Sequence, residues 1–235
     1  EKGYPGFIDQ IPSATSLSAR RILQDLFKIF KYRNIGLLFV IPGGITGCIL
    51  TFSGLWGVPY LVSHYSLSPA KAAGMTSVLL IGWAMGAPVF GWLSDYMGKR
   101  KSLYIAGVVV TSLGWSLILF RESLSVFQLV MALSVTGFFS GSIVISFAFV
   151  MESVPLSLSG TAAGLTNMGV MMGPMLLQPF VGRILDYHWT GQMIDGVRIY
   201  PLEAYEYGFI PMMAWIILSA LLLFFTKETH CRQMV

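Results

Sequence analysis

Six stretches of this chain contain no Asp, Glu, Lys or Arg: 34–70, 72–94, 102–120, 123–151, 153–182 and 207–226. Crossing a hydrocarbon core takes roughly 20 residues of helix, and each stretch meets that length. Helices satisfy their own backbone groups in lipid, whereas a β-barrel would show short alternating segments that these runs lack. The pattern predicts an all-α integral membrane protein with helices near 35–62, 72–94, 102–120, 126–151, 161–183 and 208–226. Charged residues make up 11% of the chain, against about 25% in an ordinary soluble domain. Disordered chains are charge-rich and apolar-poor, so that class is excluded. A nucleic-acid binder is excluded as well, because membrane topology accounts for the net charge of +4.

With six spans, the two tails and the second and fourth loops share one side. That side carries 11 of the 15 Lys and Arg residues, so the positive-inside bias puts both termini in the cytoplasm. The expected organisation is a tail over 1–34, a six-helix bundle over 35–226 and a second tail over 227–235. In the first tail, Arg20, Gln24, Lys28 and Lys31 fall on one helical face and Leu23, Leu26, Phe27 and Phe30 on another. A helix lying on the membrane surface fits this, and so does a cytoplasmic extension of the first span. The opening residues are polar and turn-like with no initiator Met, so the sequence reads as beginning inside a longer protein, or as trimmed. Cys48 and Cys231 are too far apart along the chain to suggest a disulfide framework. The loop from Tyr187 to Tyr207 holds Asp195-Gly196, a turn signal, followed by Arg198-Ile199-Tyr200. A small hairpin and a plain connection both suit it.

The second span ends Gly82-Trp-Ala-Met-Gly86 and then Gly91-Trp-Leu-Ser-Asp95-Tyr96. The fifth ends Gly169-Val-Met-Met-Gly173 and then Gly182-Arg-Ile-Leu-Asp186-Tyr187. A repeat spaced by three helices of opposite direction is the 3+3 inverted repeat of many secondary transporters. Chance matching of glycine-rich membrane helices is the alternative. Gly82/Gly86, Gly137/Gly141 and Gly169/Gly173 also suit close helix contacts in lipid. Pro42, Pro59, Pro88, Pro174, Pro179 and Pro211, in or beside spans, imply bends.

The second loop reads Gly91-Trp92-Leu93-Ser94-Asp95-Tyr96-Met97-Gly98-Lys99-Arg100-Lys101. It resembles the major facilitator superfamily signature, Gly-x-x-x-Asp-Arg/Lys-x-Gly-Arg/Lys-Arg/Lys, with Tyr96 in place of a basic residue. Leu55-Trp56-Gly57-Val58-Pro59-Tyr60-Leu61 resembles the start of that family's C-terminal half. Glu152-Ser-Val-Pro155 with Gly160-Thr-Ala-Ala-Gly164-Leu-Thr-Asn167 resembles its approach to the fifth helix, with Ser159 where an Arg often stands. The resemblance covers about 20–232. It implies a twelve-helix fold of which this chain supplies the C-terminal six helices, with the first tail as the linker from a missing N-terminal half. It also implies a secondary active transporter, a permease working by alternating access in a plasma membrane such as the bacterial inner membrane. Gly91, Asp95, Gly98, Lys99, Arg100, Lys101 and Glu152 would form a cytoplasmic gate. There Asp95 would touch the partner half or cap a facing helix N-terminus, and the basic triplet would pair with Glu152. Anchoring of the triplet to anionic lipid is the competing reading.

Intramembrane polar groups are the candidates for contact with a small polar solute or organic ion. In the family the first and fourth helices of each half line the cavity, which favours Trp56, Tyr60, Ser140 and Ser142. Asn167 and Gln178 share a face of the fifth span. Packing and interfacial anchoring account for the same residues equally simply. No enzyme is expected: Ser140 lies in Gly137-Phe-Phe-Ser140-Gly141, and His64, His188 and His230 all fall outside the spans, leaving no base to activate it. Three scattered His and two Cys make no metal constellation, and no cofactor is implied. A channel would need a filter or charged ring, which is absent from the sequence. A non-transporting receptor, channel or structural subunit remains the rival class. No acidic residue falls mid-span, so a coupling ion, H+ or Na+, would draw on other groups.

Overall fold

The computed structural model describes residues 28–121, 124–194 and 196–234. Six helices long and apolar enough to span a membrane account for most of them. These are α1 (Arg33–Tyr65), α2 (Pro69–Met97), α3 (Lys101–Phe120), α4 (Val126–Glu152), α5 (Ser159–Tyr187) and α6 (Leu202–Phe224). The amphipathic segment expected around Arg20 to Lys31 lies mostly outside the described residues.

Local chemistry sets the boundaries. Ser68 caps α2 by accepting from the Lys71 N–H, with Pro69 in the first turn. Ser125 and Gln128 form a reciprocal capping box at the start of α4. Gly98, with φ +62°, ends α2 in the left-handed conformation that glycine adopts without strain. The helices overrun the expected spans, most of all at α6, which begins at Leu202 rather than near 208. Lys71, Asp95, Glu203 and Glu206 ride on helical turns beyond the uncharged core, where the interface tolerates charge.

The packing obeys a pseudo-twofold exchange of α1-α2-α3 with α4-α5-α6. The most extensive contacts, α1 on α5 and α2 on α4, map onto each other, as do α1 on α6 and α3 on α4. Close backbone approach at paired glycines carries both major crossings. A Cβ at Gly86 would overlap the Phe138 carbonyl, and one at Gly141 the Gly86 backbone. In the other copy, a Cβ at Gly169 would overlap the Phe39 carbonyl, and one at Gly173 the Gly43 carbonyl. The repeat is therefore a 3+3 inverted one, and Gly43/Gly47 is the unanticipated mate of Gly137/Gly141.

Both ends of the described chain meet at one end of the bundle, where Asn34 donates to the Lys227 carbonyl at 2.9 Å and accepts from the Lys227 N–H at 2.8 Å. The α2–α3 turn lies at this same end, called here the motif end. At the opposite end, Met193–Ile194 (β1) pairs antiparallel with Val197–Arg198 (β2). Of the two forms that suited this loop, the hairpin is the one present, with Gly196 at φ +78° in its turn. α1 contains a π-helical turn over Phe52–Trp56, and α4 a 3-10 turn over Gly141–Val144.

Candidate gate and solute face

At the motif end, Gly98 turns the chain so that Arg100 folds back beneath the last turn of α2. The Arg100 side chain is 7% exposed. Its Nη1 donates to Asp95 Oδ1 at 2.6 Å and to Ser94 Oγ at 3.0 Å. Nε and Nη2 reach Glu152 Oε1 at 3.0 and 2.6 Å. A guanidinium presents a planar fork of donors, so one Arg can bind two carboxylates with good geometry. Burial alone would lower its pKa; the hydrogen-bonded carboxylates of Glu152 and Asp95 outweigh that and raise it. Asp95 is 67% exposed and Glu152 only 14%. The buried member of the network is therefore Arg100–Glu152, with Asp95 facing outward.

The segment after α6 closes this cluster. Glu228 accepts from the backbone N–H groups of Arg100 and Lys101 at 2.8 and 2.9 Å, capping an α3 start that has no local side-chain cap. Thr229 donates to Glu152 Oε2 at 2.5 Å, and the Met234 N–H to the Glu152 carbonyl at 2.9 Å. Gln233 bonds the carbonyls of Met151 and Val154. His230 and Cys231 adopt left-handed backbone, φ 53° and 56°, as the strap turns over Ser94. Lys101 Nζ donates to the Phe224 and Thr226 carbonyls at 2.7 and 2.8 Å, a cation on the negative end of α6.

The expected gate is thus assembled differently in detail. Of the basic triplet only Arg100 pairs with Glu152; Lys101 is held by the end of α6, and Lys99 is exposed with no side-chain partner among the described residues. Within this half, Glu228 is the carboxylate that caps the α3 N-terminus. Sequence reasoning missed Glu228, Thr229 and Ser94. The polar run Lys227-Glu228-Thr229 straight after the last span was the available signal. Gly91 has open space around it, a Cβ there meeting only Val144 at 3.7 Å.

Among the solute-face candidates, the structure joins Trp56 and Gln178. Trp56 Nε1 donates to the Gln178 carbonyl at 3.0 Å, and Gln178 Nε2 donates to the Leu50 carbonyl at 3.1 Å, just before the π turn. The Trp56 ring lies against Gly182, where a Cβ would meet it at 2.9 Å. Asn167 is exposed three turns away along α5. Tyr60, Ser140 and Ser142 are placed otherwise. Tyr60 is buried in an aromatic cluster with Tyr205 and Phe209, its hydroxyl donating to the Ile118 carbonyl at 3.2 Å. Ser140 donates to the Thr136 carbonyl at 2.6 Å, and Ser142 is buried against Gly107. All three are packed into the interior of this half.

The second copy of Gly-x-x-x-Asp-Tyr also closes on an arginine. Asp186 accepts from Arg198 Nη1 and from the Tyr200 hydroxyl, each at 2.7 Å, with both charged side chains about half exposed. Arg198 lies 4.6 Å from the Trp189 ring, and Tyr200 stands edge-on to Trp56.

The fold and the motif cluster define a multi-pass helical membrane protein built on an inverted three-helix repeat. The chain belongs to the Major Facilitator Superfamily, which it matches over residues 39–233. Zebrafish (Danio rerio) solute carrier family 2, facilitated glucose transporter member 10 is 28% identical over 167 residues, 71% of this chain and 30% of that protein. Monocarboxylate transporter 12 of Xenopus laevis is 28% identical over 174 residues, 74% of this chain and 35% of that protein. In fold, the chain is similar to the inward-open xylose transporter XylE of E. coli, with a TM-score of 0.64 and 17% identity over 85% of this chain and 48% of that one. The chain thus spans about half or less of the proteins it resembles.

Proposed function

We propose that this chain is the C-terminal half of a secondary active transporter that moves a small polar solute or organic ion by alternating access. The observation that carries the reading is the buried Arg100–Glu152 pair, held under Glu228 and Thr229 at the motif end. A charge-assisted cluster of this kind is a discrete contact that forms in one state and breaks in another. In this reading Asp95, the exposed carboxylate, engages the N-terminal half. Gly91, Gly160 and Gly164 support such an engagement: none has a close neighbour that demands glycine within this chain. Trp56, Gln178 and Asn167 face the solute, and the π turn of α1, a device often found at functional sites, carries Trp56 and lies beside Gln178. Relatives named for glucose and for monocarboxylates favour small polar solutes without choosing between sugar and anion. The excess of basic residues at the motif end supports a cytoplasmic location for that end, in a plasma membrane such as the bacterial inner membrane.

A coupling ion, H+ or Na+, would not use a mid-span carboxylate of this half. The described acids, Asp95, Glu152, Asp186, Glu203, Glu206 and Glu228, all lie at helix ends or in connections. The deciding experiment is uptake by the intact protein in proteoliposomes, over a panel of sugars and small carboxylates, with and without proton and sodium gradients. Saturable uptake abolished by Arg100→Gln supports the reading. Absence of uptake across the panel, with ligand binding or ion conductance instead, favours the receptor or channel class.

A further inference from the structure

Between α5 and α6, on the outside of the bundle, runs an apolar groove of about 560 Å3. Leu176, Phe180, Pro211, Trp215 and Leu218 line it, and Arg183 is its lining residue nearest the end of α5. Trp215 is pinned there by its Nε1 hydrogen bond to the Val40 carbonyl at 3.2 Å. Arg183 is exposed and makes no hydrogen bond or ion pair among the described residues. The carboxylate one turn along its own helix, Asp186, is already committed to Arg198 and Tyr200.

The dimensions match one leaflet. Arg183 lies four residues from the end of α5, about 6 Å at 1.5 Å per residue, which is headgroup depth. Leu176 lies about 10 Å deeper than Arg183, within the hydrocarbon of one leaflet, half of a core roughly 30 Å thick. A second groove, of about 440 Å3 between α3 and α4, repeats the arrangement with Arg121 among its lining residues at the same end.

We propose that the α5–α6 groove is a binding site for an anionic phospholipid of the leaflet at the hairpin end. One acyl chain lies along Phe180, Trp215 and Leu218, and the phosphate pairs with Arg183. An unpaired guanidinium beside an apolar slot recruits an anion, and its fork matches phosphate oxygens bidentately. A cation near the membrane surface contributes about 1 kcal/mol to anionic-lipid attraction, which is about a fivefold preference.

Trp215 supplies the readout. The purified protein is placed in nanodiscs of phosphatidylcholine doped with acyl-brominated phosphatidylglycerol or acyl-brominated phosphatidylcholine. Quenching of Trp215 is taken as the difference between the parent and Trp215→Phe. The expected result is half-maximal quenching at about fivefold lower mole fraction of the anionic lipid. That preference is lost in Arg183→Gln and kept in Arg183→Lys. Equal quenching by the two lipids overturns the proposal, as does a preference unchanged in Arg183→Gln. Absence of quenching by either lipid overturns it too, since a protein surface then covers the groove. If Arg183→Gln does not fold, the parent's lipid preference and the Arg183→Lys comparison still decide.

Discussion

Replacing Glu152 with Gln removes one charge from the motif end and almost no volume. In the structure its carboxylate accepts from Arg100 Nη2 at 2.6 Å and from Nε at 3.0 and 3.3 Å, and from Thr229 at 2.5 Å. Removing one partner of a buried ion pair costs about 3–5 kcal/mol, because the other charge stays buried without compensation. Asp95 still touches Arg100, but its 67% exposure lets water weaken what it can offer. A cost of about 2–3 kcal/mol is therefore expected. At 1.36 kcal/mol per decade, that raises opening of the strap about 30- to 150-fold.

Cys231, half-buried over Ser94, reports that opening through alkylation by a charged maleimide. Cys48 is wholly buried among the spans and stays silent to such a reagent. The thiol's own ionisation must be separated from access. Burial raises the Cys231 pKa, Arg100 lowers it, and Glu152 raises it. Glu152→Gln therefore lowers that pKa and increases the thiolate fraction near neutrality even with the strap closed. The rate is accordingly read on the alkaline plateau, where the thiol is fully ionised in both proteins. A plateau rate within about threefold of the parent would refute the buried-pair reasoning, since that is under 1 kcal/mol.

Asp95→Asn should change the same plateau rate less than about fivefold, as exposed ion pairs are worth 0–1 kcal/mol. It should nonetheless cut solute uptake by the intact protein at least about tenfold if Asp95 engages the second half; normal uptake removes that role. Gly86→Val and Gly173→Val should each destabilise the bundle by about 1–3 kcal/mol through overpacking. Gly160→Ala, with nothing within 4 Å of the new Cβ, should be neutral or stabilising; thermal unfolding in one detergent compares all three. Asn167→Ala and Gln178→Ala should raise the KM for uptake about fivefold or more, a hydrogen bond's worth. Ser140→Ala and Tyr60→Phe should leave KM within about twofold; the reverse pattern would return the buried residues to the solute face.

What could be read in the sequence is what lipid enforces strictly. Charge is excluded from hydrocarbon, so six uncharged runs located six helices. The same count could not find their ends, because it measures the hydrocarbon core while a helix continues through the interface. Lys71 and Glu206 bound uncharged runs yet lie within the first two turns of α2 and α6. Facing was harder still. Inside a bundle in lipid, both buried and lipid-facing positions are apolar, so no periodicity marked Ser140 and Ser142 as inward. Tyr60 is a cavity candidate only through the family's first-helix pattern, and its aromatic partners, Tyr205 and Phe209, lie in another helix that the sequence does not bring beside it. Glu228 was missed for the same reason: its partners are the backbone N–H groups of Arg100 and Lys101, and backbone groups leave no trace in sequence.

The two copies of Gly-x-x-x-Asp-Tyr end in closures of unequal kind. At the motif end the cation is buried, held by Ser94, Asp95 and Glu152 and covered by the strap. At the hairpin end Arg198 and Asp186 are each about half exposed, where water and salt screen their attraction. An inverted repeat with equal closures would favour neither end. Here the same Asp, at the end of equivalent helices, was given a buried partner in one copy and a solvated partner in the other. Within this half, then, the motif-end contact is the stiff one and the hairpin contact the yielding one. Raising ionic strength separates them: it should loosen the Asp186–Arg198 contact, seen as hydrogen exchange at Ile199, while leaving the Cys231 plateau rate unchanged. Equal salt sensitivity at both ends would mean that burial does not set the difference.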